Sequence, residues 1–331
     1  MLRFCLAFIL CLAAPGAQAA CEGRNLFDAL PAETQADLRA AANAAPHAEG
    51  LIWQARRGTQ QITLIGTYHL DDPRHDRLMA AALPHLEGAR TLLVEAGPEE
   101  EAALAAEIAR NPGAMFETGA TLPERLPEAD WQRLAAALSD RGVPAFLGAK
   151  MKPWYVAMTL ALSPCAMAEV AAGAKGLDGR LIVAAQARGL AVRALEPHDT
   201  VLRLFAQIPP EDQIDMLRVA VATAEQADDY TTTLADAYFD ETPRLIWEFT
   251  RHEMETRSGL PPAAVAAQLA LTEDLLMTQR NLSWLPVIEG ALANGPVVLA
   301  AGALHLPGQG GLLALLAERG FALDRIALDL P

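Results

Sequence analysis

The chain has 331 residues, 52% of them apolar, enough for one large domain or two modest ones with a substantial core. Its 41 acidic side chains outnumber 26 basic ones, for a formal net charge of −15. That balance argues against a nucleic-acid groove and against a patch for anionic membranes, since both need clustered positive charge.

The first twenty residues read as an export signal. "MLRF" supplies a positive start, "CLAFILCLAA" an apolar core, and "PGAQAA" a turn with a small-x-small cleavage pattern after Ala19. No later stretch reaches about 18 uninterrupted apolar residues, so the expectation is an exported protein, periplasmic or secreted, with no membrane span in the mature chain. Lipid anchoring at Cys21 is the alternative, for which Gln18 is a poor residue. Cys5 and Cys11 fall in the signal, leaving Cys21 and Cys165 as one pair in an oxidising compartment. Two cysteines do not build a zinc cage alone, so a disulfide tying the N-terminus to "LSPCAM" is expected.

After an amphipathic segment, "LFDALPAETQADLRAAANAA", the patterns "GLIWQARRG" and "QQITLIGTYH" read as strands joined across Arg57-Gly58-Thr59. "DRLMAAALPHLEGA" has helical spacing, and "RTLLVEAG" is a short buried strand ending on Glu95. A long helical region follows, including "PWYVAMTLALSPCAMAEVAA" and "LTEDLLMTQRNLSWLPVIEGALANG", with 3.6-type patterns punctuated by Pro and Gly and a helix start at "LSPCAM". Within it "KGLDGRLIVAAQARGLAVRALE" is a helix and a short strand. The C-terminal part, "PVVLAAGALHL", a Gly-rich turn, "GLLALLAERG" and "FALDRIALDL", repeats the N-terminal layout of strand, Gly-x-x-His, helix, Gly, strand. The expected fold is α/β (α+β): a central mixed sheet from two such units, with a large helical insertion. Residues 1–20 would be the signal and 21–331 a single domain, with sheet units about 51–96 and 296–330 and the insertion about 98–290.

Few standard chemistries survive inspection. Serine occurs only at 139, 163, 258 and 283, never in G-x-S-x-G. "RHEMETR" has Thr256 where a zincin needs its second histidine, and "GQGGLL" lacks dinucleotide-fingerprint spacing. What remains is a set of strand-end residues: His69 after "ITLIGTY", Glu95 after "TLLV", and His305 after "VVLAAGAL". One strand-end histidine is more often structural than a ligand; two in matched Gly-x-x-His contexts, with a strand-end carboxylate that is costly to bury unpaired, reverse that reading. Such a trio suits either a divalent-metal water site or a metal-free acid/base site. His47, His75, His85 and His198 are expected at the surface, with His75 near enough to rim the site. Arg280, in "TQRNLSW", belongs either to a solvated helix face or to the site, where it would aim a guanidinium at a bound anion or developing oxyanion.

Together, "GTYHLDDPR", "LLVEAG", "GLDGRLIVAAQARGLAVRALE", "QRNLSWLPVIEGAL" and "AGALHLPGQGGLLALLAERGF" resemble the TraB/GumN family. Tiki proteases belong to the same superfamily, and erythromycin-esterase-like proteins are more distant relations. The resemblance covers nearly all of the mature chain. It implies a site built from Gly66 to His69, Glu95, Arg280-Asn281 and Gly302 to His305. In the Tiki branch it implies a metal-dependent peptidase, with His69, Glu95 and His305 as ligands; in the esterase-like branch, hydrolysis with a histidine base. Gly66, Thr67, Asn281 and Gly302 are then expected beside a peptide or small-molecule substrate. At "EPHDTVLRLF" many members have Glu-Thr followed by Gln, so Glu196 receives no role. The leading expectation is a divalent-metal-dependent peptidase or amidase, and the competing one a non-catalytic module holding a metal, haem or small ligand.

Overall fold

The computed structural model describes Cys21 and residues 23–328; the expected signal lies outside them. Strands β1 (Ile52–Arg57) and β2 (Gln60–Thr67) form the expected hairpin, pairing Ile52 with Ile65 and Arg57 with Gln60. Gly58 makes the turn at φ +58°, a conformation L side chains avoid. With β3 (Thr91–Val94), β4 (Ala191–Ala194), β5 (Val297–Gly302) and β6 (Ala322–Ile326), they build one six-stranded sheet, in the order β4-β3-β5-β2-β1-β6. The first four in that order are mutually parallel, whereas β1 runs antiparallel to both its neighbours. The fold is therefore mixed α/β, with the helical insertion between β3 and β5 interrupted only by β4.

Alternation along the strands explains their apolar runs, because both sheet faces are covered. Ile65, Leu92, Val94, Val298 and Ala300 meet Leu78, Ala82 and Leu86 of the helix His75–Glu87 and Leu181 of the helix Leu177–Ala187. Ile62, Leu64, Leu93, Val297, Leu299 and Ala301 face the other way, onto Trp284, Ile288 and Ala291 of the helix Gln279–Leu292 and onto the helix Leu312–Glu318. Each such fully buried Leu or Ile contributes about 1.5–3 kcal/mol.

The two strand–helix–strand units are not symmetric in the sheet. The first crosses from β2 over β5 to β3, and the second crosses from β5 to the far edge, beside β1. What they share is that the two Gly-x-x-His strands are neighbours, with Thr67 of β2 opposite Gly302 of β5.

Two long helical patterns break. "PWYVAMTLALSPCAMAEVAA" forms helices Pro153–Leu160 and Pro164–Ala171, bent by 92°. Pro164 occupies the first turn of the second helix and the Ser163 hydroxyl accepts the Ala166 N–H at 3.1 Å, so local chemistry starts a new helix there. Before Arg280, Glu273–Thr278 winds as a π-helix, a wide turn often found beside functional sites. A Cys21–Cys165 disulfide, with Cα atoms 5.6 Å apart, ties the N-terminal segment to the second bent helix. Among the described residues no single helix is long and apolar enough to cross a membrane, although the bent pair passes that test together.

Candidate active site

All four parallel strands deliver a polar side chain at their carboxyl ends, the edge where open α/β sheets build sites. His69 follows β2, Glu95 follows β3, Glu196 follows β4, and Gly302 and His305 end β5.

The centre of this edge is Arg280. Its Nε and Nη2 donate to the two oxygens of Glu196 at 2.9 and 2.7 Å, and Nη2 also donates to Glu95 Oε2 at 2.6 Å. Its Nη1 lies 3.2 Å from His305 Nε2 and 3.3 Å from the Leu276 carbonyl, within the π-turn. All five guanidinium N–H groups thus have partners. Trp284 adds an Nε1–H donated to Glu196 Oε2 at 2.9 Å. Arg280 is therefore not free to meet a developing oxyanion; it fixes two carboxylates and an imidazole.

Asn281 decides the state of His305. Its amide nitrogen donates to the carbonyls of Gly310 (2.8 Å) and His305 (3.2 Å), so its Oδ1 faces His305 Nδ1 at 2.7 Å. The network then assigns the proton to Nδ1 and leaves Nε2 to accept from Arg280. Burial pushes the His305 pKa down to about 4, with the Arg280 cation adding to it and Glu95 opposing, so the ring is neutral at pH 7. The side chains of Asn281 and Thr67 are both buried.

Glu95 extends the sheet by its side chain: Oε1 accepts the Gly302 N–H at 2.6 Å. Burial alone would raise its pKa, but neighbouring imidazoles, Arg280 and the Gly302 N–H hold it well below the usual carboxylate range. With His305 neutral, Arg280, His69 and that N–H keep the charge in place.

His69 is the open member, its side chain 61% exposed, with Nδ1 3.3 Å from Asp178 Oδ1. Surrounding protein disfavours its charged form, yet the Asp178 hydrogen bond and the Glu95 and Asp178 charges outweigh this and raise its pKa to about 9. The first turn of the helix Leu177–Ala187, which carries Asp178, packs on the His69 backbone, with Leu177 N–H donated to Tyr68 O at 3.0 Å. Gly176 permits this, since a Cβ there would fall 2.4 Å from His69 C and O.

The glycines of the two Gly-x-x-His motifs differ in use. A Cβ on Gly302 would sit 3.1 Å from His69 Nε2, 3.3 Å from Glu95 Oε1 and 3.7 Å from His305 Cδ2. Residue 302 thus leaves open a point within hydrogen-bond reach of a cationic donor and an anionic acceptor. A Cβ on Gly66 would instead meet Leu306 and Ala303 at 3.0–3.2 Å, so that glycine serves packing.

The expected metal ligands do not fit a metal as arranged. His305 is not available as a ligand, because its Nε2 lone pair is engaged by the Arg280 guanidinium and its Nδ1 faces Asn281 Oδ1 at 2.7 Å, which leaves two of the expected three. Among the described residues, the three ligand atoms that gather within 4.8 Å of one another belong to Cys21, Cys165 and Glu169. That cluster could coordinate a cation only with its cysteines reduced, because thiolates are the ligands and both sulfurs are joined in the disulfide.

Two features of the site escaped sequence reasoning. Glu196 carries the same signal that picked out Glu95, a carboxylate ending a strand, in "VRALE". Asp178 was visible only as an acid flanked by glycines in "GLDG". The opposite error concerns His75: far from surface, it is wholly buried among Tyr68, Tyr238 and Phe239, and its Nε2–H is donated to Leu70 O at 2.9 Å.

The chain is similar to known proteins over most of its length. The chain is 26% identical over 264 residues to "Uncharacterized protein YbaP" of Escherichia coli (strain K12), covering 78% of this chain and 89% of that protein. The Shigella flexneri protein of the same description matches at the same identity and coverage. Residues 51–325, from the first strand to the last, match the TraB/PrgY/gumN family. On that match the chain belongs to the TraB/PrgY/gumN family.

Proposed function

We propose that this protein is a hydrolase of acyl compounds (a peptide, amide or ester) whose acid/base pair is His69 and Glu95 and which works without a metal ion. The observation that carries the reading is the open point over Gly302, 3.1 Å from His69 Nε2 and 3.3 Å from Glu95 Oε1. Around that point stand a protonated imidazole able to donate and an ionised carboxylate able to accept, as an acid and a base require. Water seated there is oriented by Glu95 Oε1, which takes its proton as oxygen attacks the acyl carbon. Glu95 is a weak base, and the compensating drive comes from His69, whose Nε2–H protonates the leaving atom as its bond to the acyl carbon breaks. Arg280 keeps Glu95 ionised and in place, Glu196 and Trp284 hold Arg280, and Asp178 orients His69. His305 and Asn281 brace the network from below.

The test is turnover of a peptide, amide and ester panel by wild type, His69→Ala and Glu95→Gln, with and without a chelator. Loss in both variants and indifference to chelator are expected. Equal turnover by all three proteins would refute the acid/base assignment. Turnover abolished by chelator and restored by a divalent ion would return the site to metal chemistry. Ligand binding without any turnover would favour the binding-module reading.

A further inference from the structure

The overall charge of −15 hides a local asymmetry. The chain has three lysines, Lys150, Lys152 and Lys175, and a single carboxylate, Glu169, lies between the first and the last. Every ion pair among the described residues uses arginine or histidine as its cation; these lysines make none.

The same stretch holds most of the exposed apolar bulk. Six large hydrophobic side chains are exposed among the described residues, and four of them are Phe146 (78%), Leu147 (40%), Met158 (44%) and Val170 (48%). Scattered singly, such residues need no explanation. Concentrated where every lysine lies, they do.

The element presenting them is braced. The helix Pro153–Leu160 buries Trp154, Val156, Ala157 and Leu160 and packs on the helix Pro210–Thr223, leaving Met158 outward. The Arg141 guanidinium donates to the carbonyls of Leu160 (3.1 Å), Leu162 (2.7 Å) and Ala137 (2.8 Å), which satisfies the carbonyls at the 92° bend from the inside. The disulfide holds the second helix at Cys165.

We propose that this bent, lysine-bearing segment, residues 144–175, is a peripheral docking element for an anionic lipid surface. Apolar side chains enter the headgroup boundary, and unpaired lysines, their stems apolar and their heads charged, meet the lipid phosphates. Each lysine near such a surface raises partition by about fivefold. Acidic groups elsewhere on the molecule are screened beyond about 8 Å at physiological salt, so the net charge does not forbid contact through this face. The exclusion drawn from net charge therefore applies to the molecule as a whole and not to this segment. The inference is independent of the hydrolase reading.

The experiment is flotation of the purified, disulfide-intact chain with phosphatidylcholine vesicles, with or without about one-third phosphatidylglycerol, at low and high salt. Binding to the anionic vesicles alone, weakened by salt, is expected. Lys150→Glu with Lys152→Glu should reduce it at least tenfold, and Phe146→Ser with Leu147→Ser should reduce it comparably. Phe146, Leu147 and Lys150 are exposed and Lys152 is half-buried, and unchanged melting temperatures would show that the fold is kept. No binding, or equal binding to neutral and anionic vesicles by wild type and the lysine variant, would overturn the proposal. So would self-association of the chain, lost in Phe146→Ser/Leu147→Ser and unaccompanied by vesicle binding, because a second copy would then cover the face.

Discussion

Gly302→Ala tests the proposed chemistry with the smallest perturbation available. Gly302 has φ −46° and ψ 135°, a conformation alanine adopts without strain. Its N–H, which holds Glu95 Oε1, is retained. The added methyl would lie 3.1 Å from His69 Nε2 and 3.3 Å from Glu95 Oε1, tighter than ordinary contact, and both neighbours are side-chain ends able to recede by a few tenths of an ångström. Alanine also restricts the unfolded chain, which stabilises by about 0.4–1 kcal/mol. The net change in stability should therefore stay within about 1 kcal/mol of zero. Activity should respond differently, because the methyl occupies the point where water or substrate would sit. Displacing a reacting atom by about 1 Å costs on the order of 100-fold, equal to about 2.7 kcal/mol of transition-state stabilisation. Gly66→Ala is the control. Its Cβ would be 3.1 Å from the Ala303 Cα, backbone that cannot swing away, so it should lose about 1–3 kcal/mol of stability through overpacking. Urea midpoints and kcat/KM for both variants separate the effects. A folded Gly302→Ala protein within threefold of wild-type kcat/KM would refute the argument.

Four further outcomes follow from the geometry. Asp178→Asn should lower kcat by about 10–100-fold, as expected for a group that orients the acid, while stability stays unchanged because the His69–Asp178 pair is exposed; unaltered kcat would remove Asp178 from the site. Arg280→Met leaves buried Glu196 without its cation and should cost about 3–5 kcal/mol in urea unfolding, and Glu196→Gln in that background should recover part of it. Replacing both Cys21 and Cys165 by Ser should cost about 2–4 kcal/mol, seen as a lower urea midpoint that reductant no longer shifts. Burial holds the His75 pKa below its ordinary 6.5, so the unfolded chain binds the proton better and stability falls as pH drops from 6.5 toward the lowered folded value. His75→Gln should flatten that slope, and an unchanged slope in urea midpoints between roughly pH 7 and 5 would contradict the assignment.

Much of the sheet was legible because its signals are local. Period-two apolar runs and the glycine at position 58 located β1 and β2, and strand-end polar residues pointed to His69, Glu95 and His305. What escaped depends on long-range geometry. Nothing in "TQRNLSW" reveals that every N–H of Arg280 is already engaged, since its partners Glu95 and Glu196 come from β3 and β4. The helix start at "LSPCAM" is legible from its Ser-Pro pair, but the angle the chain turns there depends on what the two helices pack against. His75 was misplaced because its polar neighbours in "DDPRHDR" say nothing of the aromatic cluster that receives it.

The sheet order also bears on how the chain assembles. β5 lies between β2 and β3, yet it is nearly the last strand to be synthesised. Until Val297–Gly302 inserts, β2 and β3 each present an unpaired apolar edge, a state prone to pairing with other chains. Contacts this distant in sequence close slowly. A chain stopped anywhere before Val297 therefore lacks the strand that joins the two halves of its sheet, so truncations from the C-terminus should fail together, and the nascent protein should remain unfolded, and dependent on holding factors, until its end emerges.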